Sequence, residues 1–320
     1  MDELASGIWR LTLPLPVPPG HVHCYLLPGR EGWTLVDTGL ALPGVAELIE
    51  RELASLDGPV ARVVVTHFHP DHVGAAEPVR VLTGAPVYQG ELDYAQCENE
   101  WGSEDWPRRL SAWFRRNGVP GRETEELREE DEQFRPLIRF APSPELVRGG
   151  DRLDAWEVLE LPGHADGHLC LLRDGVLVTG DHLLPEITPA IGLYPDQRPD
   201  PLGDYLASLE QTLVLAPRLA LPAHGPPIAD PPARVRAIVA HHQKRLDETA
   251  AALGPTPRSG HEVSRALFGD DLDPRRRRFA VAESLSHLER LVFTGAAEKG
   301  EDDGLISYTA ARSFGRPSSK

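Results

Sequence analysis

Thr66-His67-Phe68-His69-Pro70-Asp71-His72 places four side chains that can bind metal ions within seven positions. The stretch directly follows Val63-Val64-Val65, a β-branched run typical of a buried strand. Its first two histidines are two residues apart, so an extended backbone points both rings to the same side. The aspartate and the last histidine lie on the turn into a helix and can diverge toward a second position. Because imidazole and carboxylate are good ligands for Zn²⁺ and related ions, the stretch indicates a metal site.

Three further candidate ligands each follow a strand-like run. His164 ends Leu161-Pro162-Gly163-His164, and Asp181 ends Val178-Thr179-Gly180-Asp181. His224 follows Leu221-Pro222-Ala223. Taken together, the three residues supply the ligands that a two-metal site still lacks.

This pattern resembles the metallo-β-lactamase superfamily, whose signature HxHxDH is met within residues 67–72. The resemblance covers roughly residues 7–230 and implies an α+β fold, an αββα sandwich with the metals at one edge. Asp37, in Val36-Asp37-Thr38-Gly39, matches a position that steadies a ligand in this superfamily. The ligand set that the resemblance implies is His67, His69 and His164 for a first metal, Asp71, His72 and His224 for a second, and Asp181 between the two.

The chemistry expected of such a site is hydrolysis. Two ions that share a water lower its pKa toward neutrality, and the hydroxide can attack an ester-like carbonyl or a phosphorus centre. A metal then stabilises the developing oxyanion, so no Ser or Cys nucleophile is needed. Asp71 is the candidate catalytic residue, because it can accept a hydrogen bond from that hydroxide and orient it. We expect two divalent ions per chain, Zn²⁺ first, with Fe or Mn as alternatives because availability often decides occupancy.

Composition narrows the class of protein. The formal charge is −16, from 33 Lys and Arg against 49 Asp and Glu, which argues against a broad electrostatic footprint on nucleic acid or anionic membrane. No run approaches the roughly 18 to 20 apolar residues of a transmembrane helix. Residues 1–20 lack the features of a signal peptide, so we expect a cytoplasmic protein without a membrane partner. Cys24, Cys97 and Cys170 form no CxxC pair and are expected to be reduced, buried thiols.

The sequence predicts two domains. Residues 1–254 form the catalytic domain, and within it residues 91–145 form a helical insertion rich in tryptophan and charge. That insertion is interpreted either as a substrate lid or as a solvated helical excursion. Residues 255–312, with helices followed by a hairpin, suit a small winged-helix-like domain. Residues 313–320 are expected to be a disordered tail.

The C-terminal part resembles a particular subgroup of this superfamily. His224-Gly225-Pro226-Pro227-Ile228, the helix with His241-His242 and Arg245, and Ser286-His287-Leu288-Glu289-Arg290-Leu291 look like β-lactamase-like hydrolases with a C-terminal winged helix. These are related to glyoxalase-II-type thioesterases, and they include a mitochondrial endoribonuclease. Our first hypothesis is therefore hydrolysis of a small acyl thioester or ester. The acidic balance supports it, as do aromatic residues of the insertion that could cover an acyl chain.

Three alternatives stay open. An endoribonuclease acting on single-stranded RNA is suggested by the basic run Arg275-Arg276-Arg277-Arg278, although acids precede it and a solvated helix face explains it equally simply. A lactonase of this superfamily has a Tyr shortly after the bridging Asp, whereas the next one here is Tyr194. A third alternative is a binding module with a vestigial metal site. A homodimer is also left open.

Several other residues are singled out. His182, Glu186 and Tyr194 are candidates for substrate contact, because the chain after Asp181 should pass over the metal pocket. His21 and His23 resemble an early loop that borders the pocket in this superfamily, and local hydrogen bonding is the alternative for both. Packing or solvent exposure is expected for His241, His242 and His287.

Overall fold

A computed structural model describes residues 1–4 and 7–311. The chain divides into two compact units, which are described separately. Unit 1 consists of Met1–Trp106, Asp131–Pro189 and Asp204–Ile238. Unit 2 consists of Pro107–Glu130, Ala190–Gly203 and Val239–Lys320. The predicted disordered tail, residues 313–320, lies outside the described residues.

Unit 1 contains a seven-stranded sheet in which strand order follows chain order. The first four strands pair antiparallel, and the pairs from the fourth strand onward are parallel. β-branched and other apolar residues form these strands, as expected for a sheet buried on both faces. The strands are β1 (Asp2–Glu3), β2 (Trp9–Pro14), β3 (His21–Pro28), β4 (Trp33–Val36), β5 (Val60–Val64), β6 (Val87–Gly90) and β7 (Glu145–Val147).

A second, five-stranded sheet has the order β12-β11-β10-β9-β8. Its last two strands in the chain, β11 and β12, are parallel, and the other pairs are antiparallel. The strands are β8 (Arg152–Leu153), β9 (Trp156–Glu160), β10 (Leu169–Arg173), β11 (Val176–Gly180) and β12 (Leu219–Pro222).

The two sheets of unit 1 face each other across an apolar core. Tyr25, Val36 and Val64 of the first sheet share one buried cluster with Trp156 and Val178 of the second. The Tyr25 hydroxyl also donates a buried hydrogen bond of 2.6 Å to the carbonyl of Pro222 in the second sheet. Burial of apolar side chains from both inner faces is what holds such sheets together.

Helices cover the outer faces of both sheets. Val45 and Ile49 of α1 (Val45–Leu53) and Val79 of α3 (Ala76–Thr83) share a buried cluster with the outer face of the first sheet. On the second sheet, Leu215 of α7 (Pro201–Leu215) packs against a cluster that includes Leu177. The layer order is therefore helix, sheet, sheet, helix, and the predicted α+β, αββα sandwich is confirmed.

Four more helices extend along the chain up to residue 252. The segment 91–145 is helical, as predicted, but its first helix belongs to unit 1 while Pro107–Glu130 belongs to unit 2. The lid interpretation of this segment stays a prediction. The helices are α4 (Glu91–Glu100), α5 (Trp106–Arg116), α6 (Gly121–Phe134) and α8 (Pro231–Ala252).

The C-terminal part of unit 2 has helices followed by a hairpin, which is the order predicted from the sequence. α9 (Gly260–Phe268) and α10 (Pro274–Phe293) precede the antiparallel strands β13 (Ala297–Asp302) and β14 (Leu305–Ala310). α10 begins seven residues before its apolar core, Val281–Leu291. The reason is local: the Asp273 side chain caps the helix and Pro274 occupies its first turn.

Two further predictions concern the helix after the metal stretch and the three cysteines. The helix expected after the metal stretch is divided into two helices, α2 (Pro70–Val73) and α3. The division lies at Gly74 and Ala75, which approach the backbone of Gly39. The three cysteines are free and buried, as expected. No helix in the described residues is both long enough and apolar enough to cross a membrane.

Replacing Tyr25 by Phe is expected to lower the free energy of unfolding by about 1 to 2 kcal/mol, because a buried hydrogen bond between the two sheets is lost. Urea unfolding followed by tryptophan fluorescence and by circular dichroism measures the change. Tyr88→Phe is the matched control, since Tyr88 packs against the same core and its hydroxyl has no hydrogen-bond partner among the described residues. Equal effects of the two substitutions would contradict the role assigned to the Tyr25 hydroxyl.

Candidate metal centre

The seven predicted ligands follow strand ends or lie in α2, and they meet at one edge of the sandwich in unit 1. Two strands of the first sheet end at Val36 and Val64, and the metal stretch follows the second of these ends. In the second sheet, β9, β11 and β12 end just before the other three ligands. The structure brings together three overlapping groups whose ligand atoms lie within 4.8 Å of one another: His67, His69 and His164; His67, His72 and Asp181; Asp71, His72 and His224.

The first group consists of three imidazoles whose nitrogens converge. His67 Nε2 lies 3.0 Å from His69 Nδ1, and His69 Nδ1 lies 2.8 Å from His164 Nε2. The rings of His67 and His69 are nearly perpendicular, with centroids 4.7 Å apart. Three ring nitrogens aimed at one point are an arrangement suited to a single cation.

The other two groups share His72 and pair imidazoles with carboxylates. Asp71, His72, Asp181 and His224 are together called the second group. His224 Nε2 lies 3.3 Å from Asp71 Oδ2 and 3.5 Å from Asp181 Oδ1. His72 Nε2 lies 3.7 Å from Asp71 Oδ2 and 3.6 Å from Asp181 Oδ1. The other oxygen of Asp181, Oδ2, faces His164 Nε2 at 3.6 Å. Asp181 therefore reaches both groups, which is the place that a bridging ligand occupies.

These separations fit metal ions. A tetrahedral Zn²⁺ with ligand bonds of about 2.0 to 2.2 Å separates its ligand atoms by about 3.3 to 3.6 Å. The distances around Asp71, Asp181 and His224 lie close to that range, whereas the first group must open by a few tenths of an ångström. Moreover, His72 Nε2 and Asp181 Oδ1 are buried and have no hydrogen-bond partner among the described residues. Buried polar atoms are normally paired, so both atoms fit the role of direct ligands to an ion.

Asp37 holds the metal stretch in place from the neighbouring strand. Its Oδ1 accepts a hydrogen bond from Thr66 N at 2.8 Å, and its Oδ2 accepts one from Thr66 Oγ1 at 2.9 Å. Because a carboxylate only accepts, the 2.8 Å contact of His72 Nδ1 with Asp37 Oδ2 makes that nitrogen the donor. His67 Nδ1 lies 3.0 Å from Thr66 Oγ1, which leaves Nε2 of both histidines free for an ion.

His224 is oriented by a residue from the early loop. Its Nδ1 lies 2.8 Å from the backbone carbonyl of His21, which can only accept, so Nδ1 carries the proton and Nε2 faces the ligand group. His21 thus contributes through its backbone, and its ring Nε2 accepts from Gly225 N at 3.3 Å. His21 therefore lies beside the ligand His224 and is hydrogen-bonded locally, and its role at the border of a substrate pocket stays a prediction. His23 instead contacts Thr12 Oγ1 at 3.0 Å, which is the local alternative.

Burial and neighbouring charges shift the histidine pKa values of the two groups in opposite directions. Burial, and then the neighbouring histidines, lowers the pKa of His67 well below its usual range, so this ring is neutral. Burial also opposes protonation of His224, but the carboxylates of Asp181 and Asp71 outweigh it and raise its pKa to about 10. The pKa of Asp181 lies well below its usual range, because the positive charges of His224 and His72 outweigh burial. The first group is therefore uncharged at His67, whereas the second group pairs its carboxylates with protonated imidazoles, whose protons a bound ion would replace.

Three residues that support the site were missed by the sequence analysis. His168 is buried, stacks on His67 with ring centroids 4.8 Å apart, and accepts a hydrogen bond from Asp181 N at 3.2 Å. Asp93 and Trp101 bond to the backbone of Phe68, between two ligands. Only the first had a sequence signal, because it lies four residues after His164.

Gly180 allows the strand before Asp181 to approach the metal stretch. Its φ is +48°, and a Cβ there would lie 2.7 Å from Thr66 Oγ1 and 3.0 Å from His168 Nε2. A larger residue would push apart the two sheets' ligand-bearing ends. The glycine of Val178-Thr179-Gly180-Asp181 is thus required by geometry.

The candidates for substrate contact have different surroundings. His182 is buried, and its Nε2 lies 2.8 Å from Thr212 Oγ1, so its ring packs against α7. Glu186 is exposed in unit 1. Tyr194 lies in unit 2, where its ring stacks on Trp113 with centroids 6.4 Å apart. In the same unit His242 and His287 are buried with their ring nitrogens 3.3 Å apart, the packing expected of them.

The basic run 275–278 forms the first turns of α10 in unit 2. Arg277 is 3% exposed and donates to Ser264 Oγ at 3.2 Å and to the carbonyl of Gly269 at 2.6 Å. Arg276 pairs with Asp273 at 3.4 Å. Arg278 lies over the ring of Tyr194. These contacts are internal to unit 2. Arg277 is therefore not part of a solvated helix face, whereas Arg275 and Arg276 are exposed.

Family models match both parts of the chain. The model of the metallo-beta-lactamase superfamily matches residues 17–224, and the model of the metallo-beta-lactamase-like C-terminal domain matches residues 246–311. The probable metallo-hydrolase YqjP of Bacillus subtilis (strain 168) is 27% identical over 308 residues, 89% of this chain and 92% of that protein. The atrochrysone carboxyl ACP thioesterase of Claviceps purpurea (strain 20.1) is 25% identical and covers 81% of this chain and 70% of its own.

Solved structures agree with these matches. A metallo-beta-lactamase family protein from Thermus thermophilus is 34% identical, with a TM-score of 0.83 over 95% of this chain and 98% of its own. A beta-lactamase domain protein from Burkholderia ambifaria is 30% identical, with a TM-score of 0.85 over 97% and 94%. A protein solved in a di-iron-bound form is 27% identical, with a TM-score of 0.50 over 69% and 94%. The chain belongs to the metallo-beta-lactamase superfamily, and the prediction that it is a metallo-hydrolase of that superfamily is confirmed.

Proposed function

We propose that this metallo-hydrolase binds two divalent ions through the seven converging side chains and hydrolyses a small acyl thioester or ester. The observation that carries the proposal is the position of Asp181, whose two carboxylate oxygens face different ligand groups at 3.5 to 3.6 Å. A carboxylate placed between two cations is a usual feature of two-metal hydrolytic sites. Because its two oxygens face different groups, Asp181 could bind one ion with each of them.

The acyl substrate is supported by one relative. The Claviceps purpurea protein, 25% identical over 81% of this chain, is named for hydrolysis of a thioester on a carrier protein. The net charge of −16 also favours a small or apolar substrate over a polyanion, because a polyanion would be repelled over most of the surface.

The residues of the chain have separate tasks in this reaction. When bound, the ions would lower the pKa of a shared water and polarise the carbonyl oxygen of the substrate. His67, His72 and His224 would each offer Nε2 to an ion. Their ring directions are fixed by hydrogen bonds from Nδ1 to Thr66, Asp37 and the His21 carbonyl, respectively. Fixed ligands let the site stabilise developing charge without reorganising during the reaction.

Asp71 is proposed as the catalytic residue. Its side chain is 26% exposed, compared with 11% for Asp181 and none for His72. Of the two carboxylates in the ligand groups, Asp71 is thus the one that solvent reaches more readily. An attacking water can donate a hydrogen bond to its carboxylate and be oriented toward the carbonyl carbon.

Zinc is the proposed metal, and iron is the alternative. Five imidazoles and two carboxylates suit Zn²⁺ and also other first-row ions. One structural relative, 27% identical, was solved with two irons. Residues 255–312 are proposed to be a winged-helix-like domain, on the order of α9, α10 and the β13–β14 hairpin.

Asp181→Ala is expected to abolish binding of at least one ion and to lower turnover by more than about a hundredfold, since even outer partners of a ligand typically account for about 10- to 100-fold. Metal content by inductively coupled plasma mass spectrometry, on protein purified without chelator, tests this. Glu186→Ala, an exposed acid of the following loop, is the control and should keep both ions. Unchanged metal content in Asp181→Ala would contradict a bridging ligand.

A turnover screen tests the substrate class. We expect the metal-loaded protein to hydrolyse acyl thioesters or aryl esters and to leave labelled single-stranded RNA intact, because its basic run is held in internal contacts. Lactones belong in the same screen. Asp181→Ala serves as the blank for contaminating esterases. Cleavage of RNA alone would overturn the acyl proposal and favour the endoribonuclease, and turnover of lactones alone would favour the lactonase.

Asp71→Asn is expected to reduce kcat by about 100- to 10,000-fold, the usual contribution of a positioned general base, with a smaller change in KM. An amide keeps the shape of the side chain but accepts hydrogen bonds less strongly from water. Metal content must be measured on the same sample. A variant that keeps both ions and full kcat would contradict the catalytic role of Asp71.

A further inference from the structure

The segment from β6 to the end of α4 contacts the backbone that carries two proposed ligands. Asp93 Oδ1 accepts a hydrogen bond from Phe68 N at 2.8 Å, and Phe68 lies between His67 and His69. The carbonyl of the same residue accepts a hydrogen bond from Trp101 Nε1 at 2.9 Å. Both backbone groups of Phe68 are thus bonded to side chains rather than to a neighbouring strand.

Asp93 is itself buried and hydrogen-bonded through both carboxyl oxygens. It is fully buried, and its second oxygen accepts a hydrogen bond from Gln89 Nε2 at 2.5 Å. The same amide nitrogen donates to Cys97 Sγ at 3.2 Å, one turn further along α4. Burying a carboxylate is unfavourable unless its oxygens are bonded, so this arrangement fixes the acid at one position.

The same helix start also contacts the loop that carries His164. A Cβ on Gly167 would lie 2.4 Å from Asp93 N and 2.8 Å from Asp93 Cβ, so only glycine allows this approach. All three ligands of the first group therefore lie on loops that meet the residue at 93.

We propose that Asp93 and Trp101 are positioning residues for the metal group of His67, His69 and His164. The inference rests on the proposed function, because it assumes that this group binds an ion. The two hydrogen bonds fix the peptide groups on either side of Phe68. His69 offers Nδ1, the ring nitrogen nearer the backbone, so a rotation at Phe68 displaces it directly.

If Asp93 and Trp101 position the metal group, part of the helical insertion supports the metal site. Both positioning residues lie within residues 91–145, so deleting the insertion removes two supports of the metal group together with any cover of the substrate. Loss of activity after such a deletion would therefore not identify a lid. Point substitutions separate the two roles.

Zn²⁺ affinity of the metal-free full chain, measured by competition with a chromophoric chelator, is the first readout. Asp93→Ala is expected to weaken the tightest site by about 10- to 100-fold, the usual effect of losing a partner that orients a ligand. Trp101→Phe, which keeps an aromatic ring, should weaken it by about two- to tenfold, as for one hydrogen bond. Asp93→Asn should rescue binding, because its Oδ1 still accepts from Phe68 N once the Gln89 amide turns over.

The visible absorption spectrum of the Co²⁺-loaded protein is the second readout, because it reports the ligand geometry. It should change in Asp93→Ala and stay as in the unsubstituted protein in Asp93→Asn. Cys97→Ala is the matched control: the thiol is buried on the same helix and bonds the same glutamine, but makes no hydrogen bond to Phe68. It should lower the midpoint of thermal unfolding and leave both metal readouts unchanged.

Two results would overturn the inference. One is equal weakening of metal binding by Asp93→Ala and Cys97→Ala, which would make α4 a general scaffold. The other is metal binding within twofold of the unsubstituted protein in both Asp93→Ala and Trp101→Phe. If Asp93→Ala does not fold, Trp101→Phe must weaken binding and Asp93→Asn must preserve it. An unsubstituted protein that binds no ion at all would instead refute the proposed function, and this inference with it.

Discussion

The carboxylate of Asp37 is 2% exposed, lies on a backbone with φ of +62°, and accepts hydrogen bonds from Thr66 N, Thr66 Oγ1 and His72 Nδ1. A buried negative charge is tolerated only when its oxygens are bonded in this way. The three bonds join the end of β4 to the stretch after β5. They orient the His72 ring directly and the His67 ring through Thr66. Rotation of Asp37 would release both rings at once, so the geometry of the whole site depends on it.

The two sheets supply the site from opposite sides of one core. Apolar side chains from both inner faces fix the separation of the sheets, and the strand ends inherit that separation. Asp181 then reaches both ligand groups because Gly180 lets its strand approach Thr66 without a side chain between them. The core contributes no ligand, but it determines distances of 3.3 to 3.6 Å between ligand atoms that follow strands of different sheets.

The seven ligands could be predicted because each signal is local: a strand-like run followed by a histidine or an aspartate. The supports could not, because they depend on contacts between distant parts of the chain. Asp93 is 25 residues from Phe68, and the His21 carbonyl is 203 residues from His224. On sequence, position 93 is an acid in the first turn of a helix, and such acids are ordinarily exposed.

Discrimination between substrates requires groups beyond the ions, since ions polarise ester, thioester and lactone carbonyls alike. The loop after Asp181 is held from beneath by main-chain contacts: Arg234 donates to the carbonyls of Leu184 and Ile187, and Tyr205 donates to that of His182. These bonds fix the backbone while leaving the side chain of Ile187 58% exposed. A fixed backbone that exposes an apolar side chain loses little order on binding, so under the proposed function Ile187 is a candidate for contact with an acyl group.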